Sequence, residues 1–177
     1  MNEHEIAQWN SHKLLFDKVI AKTGRLNSAV ELGAGYFSTS FLSQSVDFVI
    51  SLEHSKEWYE FLAKGYAAIA NVDLIHWEGN PDDMYLWLMT NDISDTELVL
   101  IDNAGKRIEA VNTALEAGVP YILCHNYDGI EQKNRIQPPE GYRMYIHTLH
   151  PAWTVLWTTD IDLFNQLTEE AAHLIEP

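Results

Sequence analysis

The sequence predicts an α/β fold: a doubly wound, mostly parallel sheet of about seven strands that ends in an antiparallel hairpin. Three observations predict it. Short runs rich in Val, Ile and Leu alternate with helix-period segments between residues 29 and 124, the pattern of strands covered on both faces. The first of these runs leads into a glycine turn, Gly33-Ala34-Gly35, with helix-forming sequence behind it. Near the end, two strand-like runs are joined only by His150-Pro151-Ala152. That is too short for a parallel crossover, which needs about a dozen residues or more, so the pair must be antiparallel.

Each element has its own signal. Residues 3–22 place Ile6, Trp9, Phe16 and Ile20 at near-helical spacing, and Gly24 sits where a C-terminal cap belongs. Ala29-Val30-Glu31-Leu32 is the first strand, and Ser38 is the expected N-cap of the helix after the glycine turn. Residues 47–53 form the second strand. Ser55 caps the next helix, whose inward face is expected to be Trp58, Phe61, Leu62 and Tyr66. Residues 72–77 are the third strand. Asn80-Pro81-Asp82-Asp83 then opens a helix with a cap, a proline at the first position and acids in the first turn. The fourth strand, residues 97–101, ends at Asp102. The helix behind it turns Ile108, Val111 and Leu115 inward and stops at Gly118, with Pro120 beyond. Residues 119–124 are the fifth strand, 142–149 and 153–159 the hairpin, and a last helix starts near Asp162.

The 177 residues suit one domain: a helical cap at 1–27, a core at 28–159 and a closing helix at 160–177. The net charge is −15, from 11 basic and 26 acidic residues. Binding to nucleic acid or to an anionic membrane needs a basic face, so both are disfavoured and a small molecule is the expected partner. Cys124 is the single cysteine, which excludes an internal disulfide and a cysteine-based zinc site. Met1-Asn2-Glu3-His4-Glu5 lacks the charge and apolar stretch of a signal peptide, and no apolar run approaches the roughly 20 residues of a membrane span. A soluble cytoplasmic protein is expected; its oligomeric state is left open.

Glu31-Leu32-Gly33-Ala34-Gly35-Tyr36-Phe37-Ser38 carries the chemistry. A strand, a Gly-x-Gly turn and a helix start build a Rossmann-like nucleotide crevice, where glycine lets the backbone approach a ligand and the helix end favours an anionic group. Ser38 stands where the dinucleotide fingerprint has its third glycine, and Glu31 lies two residues before the first. Glu53 follows Gly35 by 18 residues at the end of the second strand. A carboxylate there can accept both hydroxyls of a ribose, or it can simply start the Ser55 helix.

These residues resemble the class I S-adenosylmethionine-dependent methyltransferases. Glu31-Leu32-Gly33-Ala34-Gly35 is similar to that family's first motif, and Ser51-Leu52-Glu53-His54 to its second. Glu78-Gly79-Asn80 falls where the family surrounds the adenine, and Leu100-Ile101-Asp102 resembles its fourth motif. The resemblance implies S-adenosylmethionine held by Glu31, Gly33, Ala34, Gly35, Ser38, Thr39, Glu53, His54, Gly79, Asn80 and Asp102. It also implies methyl transfer to a small-molecule acceptor, with a hydroxyl oxygen as the expected target.

Within the class the chain looks most similar to small catechol-type O-methyltransferases, through Leu100-Ile101-Asp102-Asn103, Lys106 and His125-Asn126. That likeness implies Asp102, Lys106 and His125 as catalytic residues, and a magnesium site at the positions of Asp102, His125 and Asn126. His125 replaces the family's second aspartate, and imidazole suits zinc, manganese or iron better than magnesium. His125 is therefore read as a general base ahead of a metal ligand, and a divalent ion is not favoured. His76, His147 and His150 are read as structural or exposed, and Trp77 as a core residue rather than a stacking partner. The rival readings are a nicotinamide-binding oxidoreductase, disfavoured by the missing third glycine, a nucleic-acid methyltransferase, disfavoured by the charge, and a non-catalytic subunit that keeps the fold.

Overall fold

The computed structural model describes residues 11–127, 133–148 and 152–173. Among them, seven strands build one sheet: β1 (Leu26–Leu32), β2 (Val46–Glu53), β3 (Val72–His76), β4 (Leu98–Ile101), β5 (Tyr121–Cys124), β6 (Arg143–His147) and β7 (Thr154–Thr158). Their order is β3-β2-β1-β4-β5-β7-β6. The five strands β1 to β5 run parallel, and β7 lies antiparallel to both β5 and β6. The expected hairpin is therefore present, with β7 as its inner strand.

Among the described residues six α-helices cover the sheet: α1 (Ser11–Thr23), α2 (Ser38–Ser45), α3 (Lys56–Tyr66), α4 (Tyr85–Thr90), α5 (Arg107–Glu116) and α6 (Ile161–His173). Alternation along the strands divides the core into two layers. Val30, Leu32, Val99, Ile101 and Trp157 pack with Met84 and Leu88 around α4 and with Val111 and Leu115 of α5. Ala29, Leu98, Leu100 and Leu156 point the other way, to Leu15, Phe16 and Val19 of α1, Phe41 and Leu42 of α2, and Leu163 and Leu167 of α6. Strands buried on both faces explain the unbroken apolar runs of the sequence.

Several local expectations are corrected. β1 starts at Leu26, ahead of the expected Ala29, and β5 starts at Tyr121 rather than at residue 119. The cap position of α2 is Phe37, with helical backbone and no side-chain bond, because the Ser38 hydroxyl turns inward toward Glu31. Asn80 does cap, accepting from the Asp82 N–H at 3.1 Å, but the helix it opens is a 3-10 turn, Pro81–Asp83, before α4 begins. On α3, Leu62 and Tyr66 are buried as expected, whereas Trp58 and Phe61 are exposed. Their helical turn overhangs the ends of the strands, where no sheet remains to cover them. Gly24 caps α1 with a φ of 81° and an N–H bonded to the Ile20 carbonyl at 2.8 Å. Ile6, Trp9 and the His150-Pro151 turn lie outside the described residues.

Candidate active site

The register of the parallel strands assembles the site. Leu32 pairs with Leu52 on one side and with Ile101 on the other, and Ile101 pairs with Cys124. The next residue on each strand therefore falls in one row across the carboxyl edge: Glu53, Gly33, Asp102, His125. Backbone bonds extend the ladder into that row, from Gly33 N–H to Leu52 at 3.0 Å, Asp102 N–H to Leu32 at 2.8 Å and His125 N–H to Ile101 at 3.0 Å. The strand order reverses between β1 and β4, which is where open α/β sheets bind their ligands.

A cavity of about 730 Å³ opens over Glu53, Gly33 and Asp102 of this row; His125 lies behind Asp102 and does not line it. It is lined by Gly33, Ala34, Gly35 and Ser38 of the turn, by Glu53 and His54 after β2, and by Asp102 and Asn103 after β4. Gly33 has a φ of 92°, and a Cβ there would stand 2.8 Å from the Asp102 main chain, so only glycine lets the two loops meet. Glu53 is buried at the wall; its Oε1 accepts from Ser55 N–H at 2.7 Å and lies 3.2 Å from His54 Nδ1. Burial raises its pKa above the ordinary carboxylate value.

Glu31 and Thr39 lie beneath the turn and do not line the cavity. Glu31 is fully buried, and its Oε2 accepts from Thr39 and Ser51 hydroxyls, each at 2.6 Å. Thr39 in turn accepts from Gly35 N–H at 3.2 Å, so the carboxylate fixes the turn through one hydroxyl. Burial pushes the Glu31 carboxyl up to about 7, against the opposing pull of the Ser38, Ser51 and Thr39 hydroxyls. Gly79 and Asn80 also stand away from the cavity, packed with Trp77, whose Nε1 donates to the Asn80 carbonyl at 3.0 Å.

His125 is buried, and its Nδ1 lies 2.8 Å from Asp102 Oδ1, the pairing that orients a general base. Lys106 is not with them. Its ammonium is held by Asp83 at 2.6 Å and lies over the Tyr85 ring, away from the cavity. Asn126 takes a positive φ of 53°. Arg107 fastens these loops, donating to the carbonyls of Asn103 at 2.6 Å, His125 at 2.9 Å and Asn126 at 3.3 Å.

Sequence reasoning missed three groups. His12 of α1 lines the cavity, is buried, and its ring lies 5.0 Å from that of His125. Burial lowers its pKa to about 4, so it is neutral. The usable signal was a polar residue on the apolar stripe of Phe16 and Val19. Trp58, Phe61, Tyr36 and Phe37 form an aromatic wall, with Trp58 and Phe61 stacked at 5.0 Å. Asn103 is buried in the cavity wall with neither amide atom hydrogen-bonded.

No family profile and no curated protein matches the chain. Solved structures do match. The candidate methyltransferase yhhF from Escherichia coli superposes with a TM-score of 0.62 at 14% identity, over 82% of this chain and 84% of that one. An rRNA methylase from Streptococcus thermophilus gives 0.55 at 14%, over 75% and 86%. M. jannaschii TYW2, solved with AdoMet, gives 0.52 at 14%, over 85% and 74%. The chain has this Rossmann-like methyltransferase fold. At such identities the likeness carries the fold and no activity.

The magnesium set implied by the catechol-type resemblance does not fit. Magnesium takes oxygen ligands in near-octahedral order, and His125 presents a ring nitrogen where the second acid would stand. Among the described residues no helix is long and apolar enough to cross a membrane.

Proposed function

We propose that the chain transfers the methyl group of S-adenosylmethionine to a hydroxyl oxygen of a small molecule. One observation carries the reading: a single cavity joins the Gly33–Gly35 turn and Glu53 to Asp102, Asn103 and His12. The cofactor, when bound, supplies an electrophilic methyl group on a sulfonium and leaves as the neutral thioether.

The residues present fit that group. Glu53 accepts the ribose hydroxyls, and the glycine turn leaves its backbone open beside them. The unpaired amide of Asn103 offers one donor and one acceptor, which suits the amino-acid end of the cofactor. Trp58 and Phe61 supply a flat apolar wall. Asp102 lines the cavity with His125 behind it, and its carboxylate takes the proton of the acceptor hydroxyl as that oxygen takes the methyl carbon. Holding donor and acceptor in line can be worth about 7–11 kcal/mol of the barrier. The −15 charge favours a small acceptor over RNA, whose phosphates need a basic face.

Calorimetry with S-adenosylmethionine, S-adenosylhomocysteine and NAD tests the cofactor. Binding of the first two and not of NAD is expected. Binding of NAD alone sinks the reading. A methyl-labelled donor assayed on a panel of small hydroxyl compounds tests the transfer. Tight cofactor binding with no turnover on any acceptor favours a non-catalytic subunit instead.

A further inference from the structure

We infer that His12, Asp102 and His125 form a site for one divalent transition-metal ion of the zinc, manganese, iron or cobalt class. One ligand atom from each residue lies within 4.8 Å of the other two. Ligands about 2.1 Å from one ion stand about 3 to 3.5 Å apart, so the widest spacing must close by about 1 Å. His125 Nδ1 and Asp102 Oδ1, at 2.8 Å, already have the separation of neighbouring ligands. An ion there takes the place of the proton between them, with His125 carrying its own proton on Nε2.

Unpaired nitrogen points the same way. Both ring nitrogens of His12 are buried without a hydrogen-bond partner. Burying such groups unpaired is unfavourable, and two imidazoles far apart in the sequence meet edge to face at 5.0 Å. A coordinated ion relieves part of that cost. Two imidazoles and one carboxylate are a donor set for borderline transition ions, not for magnesium or calcium.

Three protein ligands leave a coordination position open, as catalytic metal sites do. Asp102 and His12 line the cavity, so that position faces the acceptor. The ion holds the acceptor oxygen and lowers its pKa; the hydroxyl proton leaves to water. This role rests on the methyl-transfer reading, whereas the ion site itself does not. From the sequence alone His125 reads as a base ahead of a ligand; the second imidazole reverses that order.

The test uses the full chain without a histidine tag, stripped by a chelator and titrated with Co²⁺ in excess Mg²⁺. Visible absorption and calorimetry should show one equivalent bound and displaced by Zn²⁺. His12→Ala should weaken Co²⁺ binding by at least about tenfold, with far-UV circular dichroism unchanged. Should that variant fail to fold, Asp102→Asn is read in the same way. His76→Ala, outside the cluster, should bind Co²⁺ as the wild type does. Absence of a stoichiometric site, or one that the cluster variants leave intact, overturns the inference. S-adenosylhomocysteine binding is measured alongside. Its presence without a metal site sinks only the ion, and a metal site without it sinks only methyl transfer.

Discussion

Trp58 Nε1 donates to the carbonyl oxygen of Ala34 at 2.9 Å, tying the first turn of α3 to the glycine turn after β1. The indole is thus part of the cavity wall and also a brace for the loop that shapes it. Trp58→Phe keeps the stacking surface on Phe61 and removes the brace. A neutral hydrogen bond is worth about 0.5–1.5 kcal/mol, so S-adenosylhomocysteine affinity should fall about three- to tenfold. The melting temperature of the ligand-free protein should hardly move. Unchanged affinity would show that the turn holds its shape unaided.

Glu53→Ala separates a ribose acceptor from a helix-start acid. Two charge-assisted bonds to the ribose, each about 1.5–3 kcal/mol, would be lost. Cofactor affinity should drop by at least about tenfold, with the ligand-free melting temperature near wild type. An intact affinity assigns Glu53 to the Ser55 N–H alone.

Glu31 should leave a mark on stability against pH. Its folded pKa, about 7, lies above its ordinary value of 4.5. Between the two, the folded state holds the proton that the unfolded chain has released. The contribution is therefore complete below about pH 4.5 and is lost as pH rises through about 7. Glu31→Gln cannot titrate, so the difference between wild-type and variant unfolding free energies should fall by up to about 3 kcal/mol across that window. His12 titrates with the opposite sign, since its pKa is lowered, but it is present in both proteins and cancels in the difference. A flat difference curve from urea unfolding at several pH values contradicts the assignment.

Arg107→Ala removes donors from three carbonyls, those of Asn103, His125 and Asn126. A loss of about 2–4 kcal/mol is expected, or a melting temperature about 5–15 °C lower. Arg107→Lys should recover little, because one ammonium cannot reach both loops in the fork geometry of a guanidinium. Recovery by lysine would mean that charge, not geometry, matters here.

Much of the site was legible because strand ends are legible. Once the Val-, Ile- and Leu-rich runs were placed, Gly33, Glu53, Asp102 and His125 had to fall on the same edge of the sheet. What stayed hidden was direction. Lys106 stands one place further from Asp102 than the catalytic lysine of the family it resembles, and Asp83 is within reach on the neighbouring loop and holds it. Glu31 belongs to a ligand-binding motif, yet strand alternation turns its side chain down into the layer beneath. Helical period put Trp58 and Phe61 on the stripe of Leu62 and Tyr66, and could not show that the sheet stops short of them. His12 was least accessible, since nothing near it in the chain hints that its neighbour is His125.

That last distance has a consequence for folding. Helix α1 packs against α2, which soon follows it, but also against β5 and β7, which come far later in the chain. Phe16 can meet Phe41 early, their rings 4.7 Å apart in the final structure. His12 has no His125 to meet until most of the chain has been made. Contacts of such long sequence separation bear a large loop-closure cost and form late. The cavity is therefore completed from its two ends, and a chain interrupted before β7 would have the glycine turn and Glu53 in place with its first helix still lacking part of its seat.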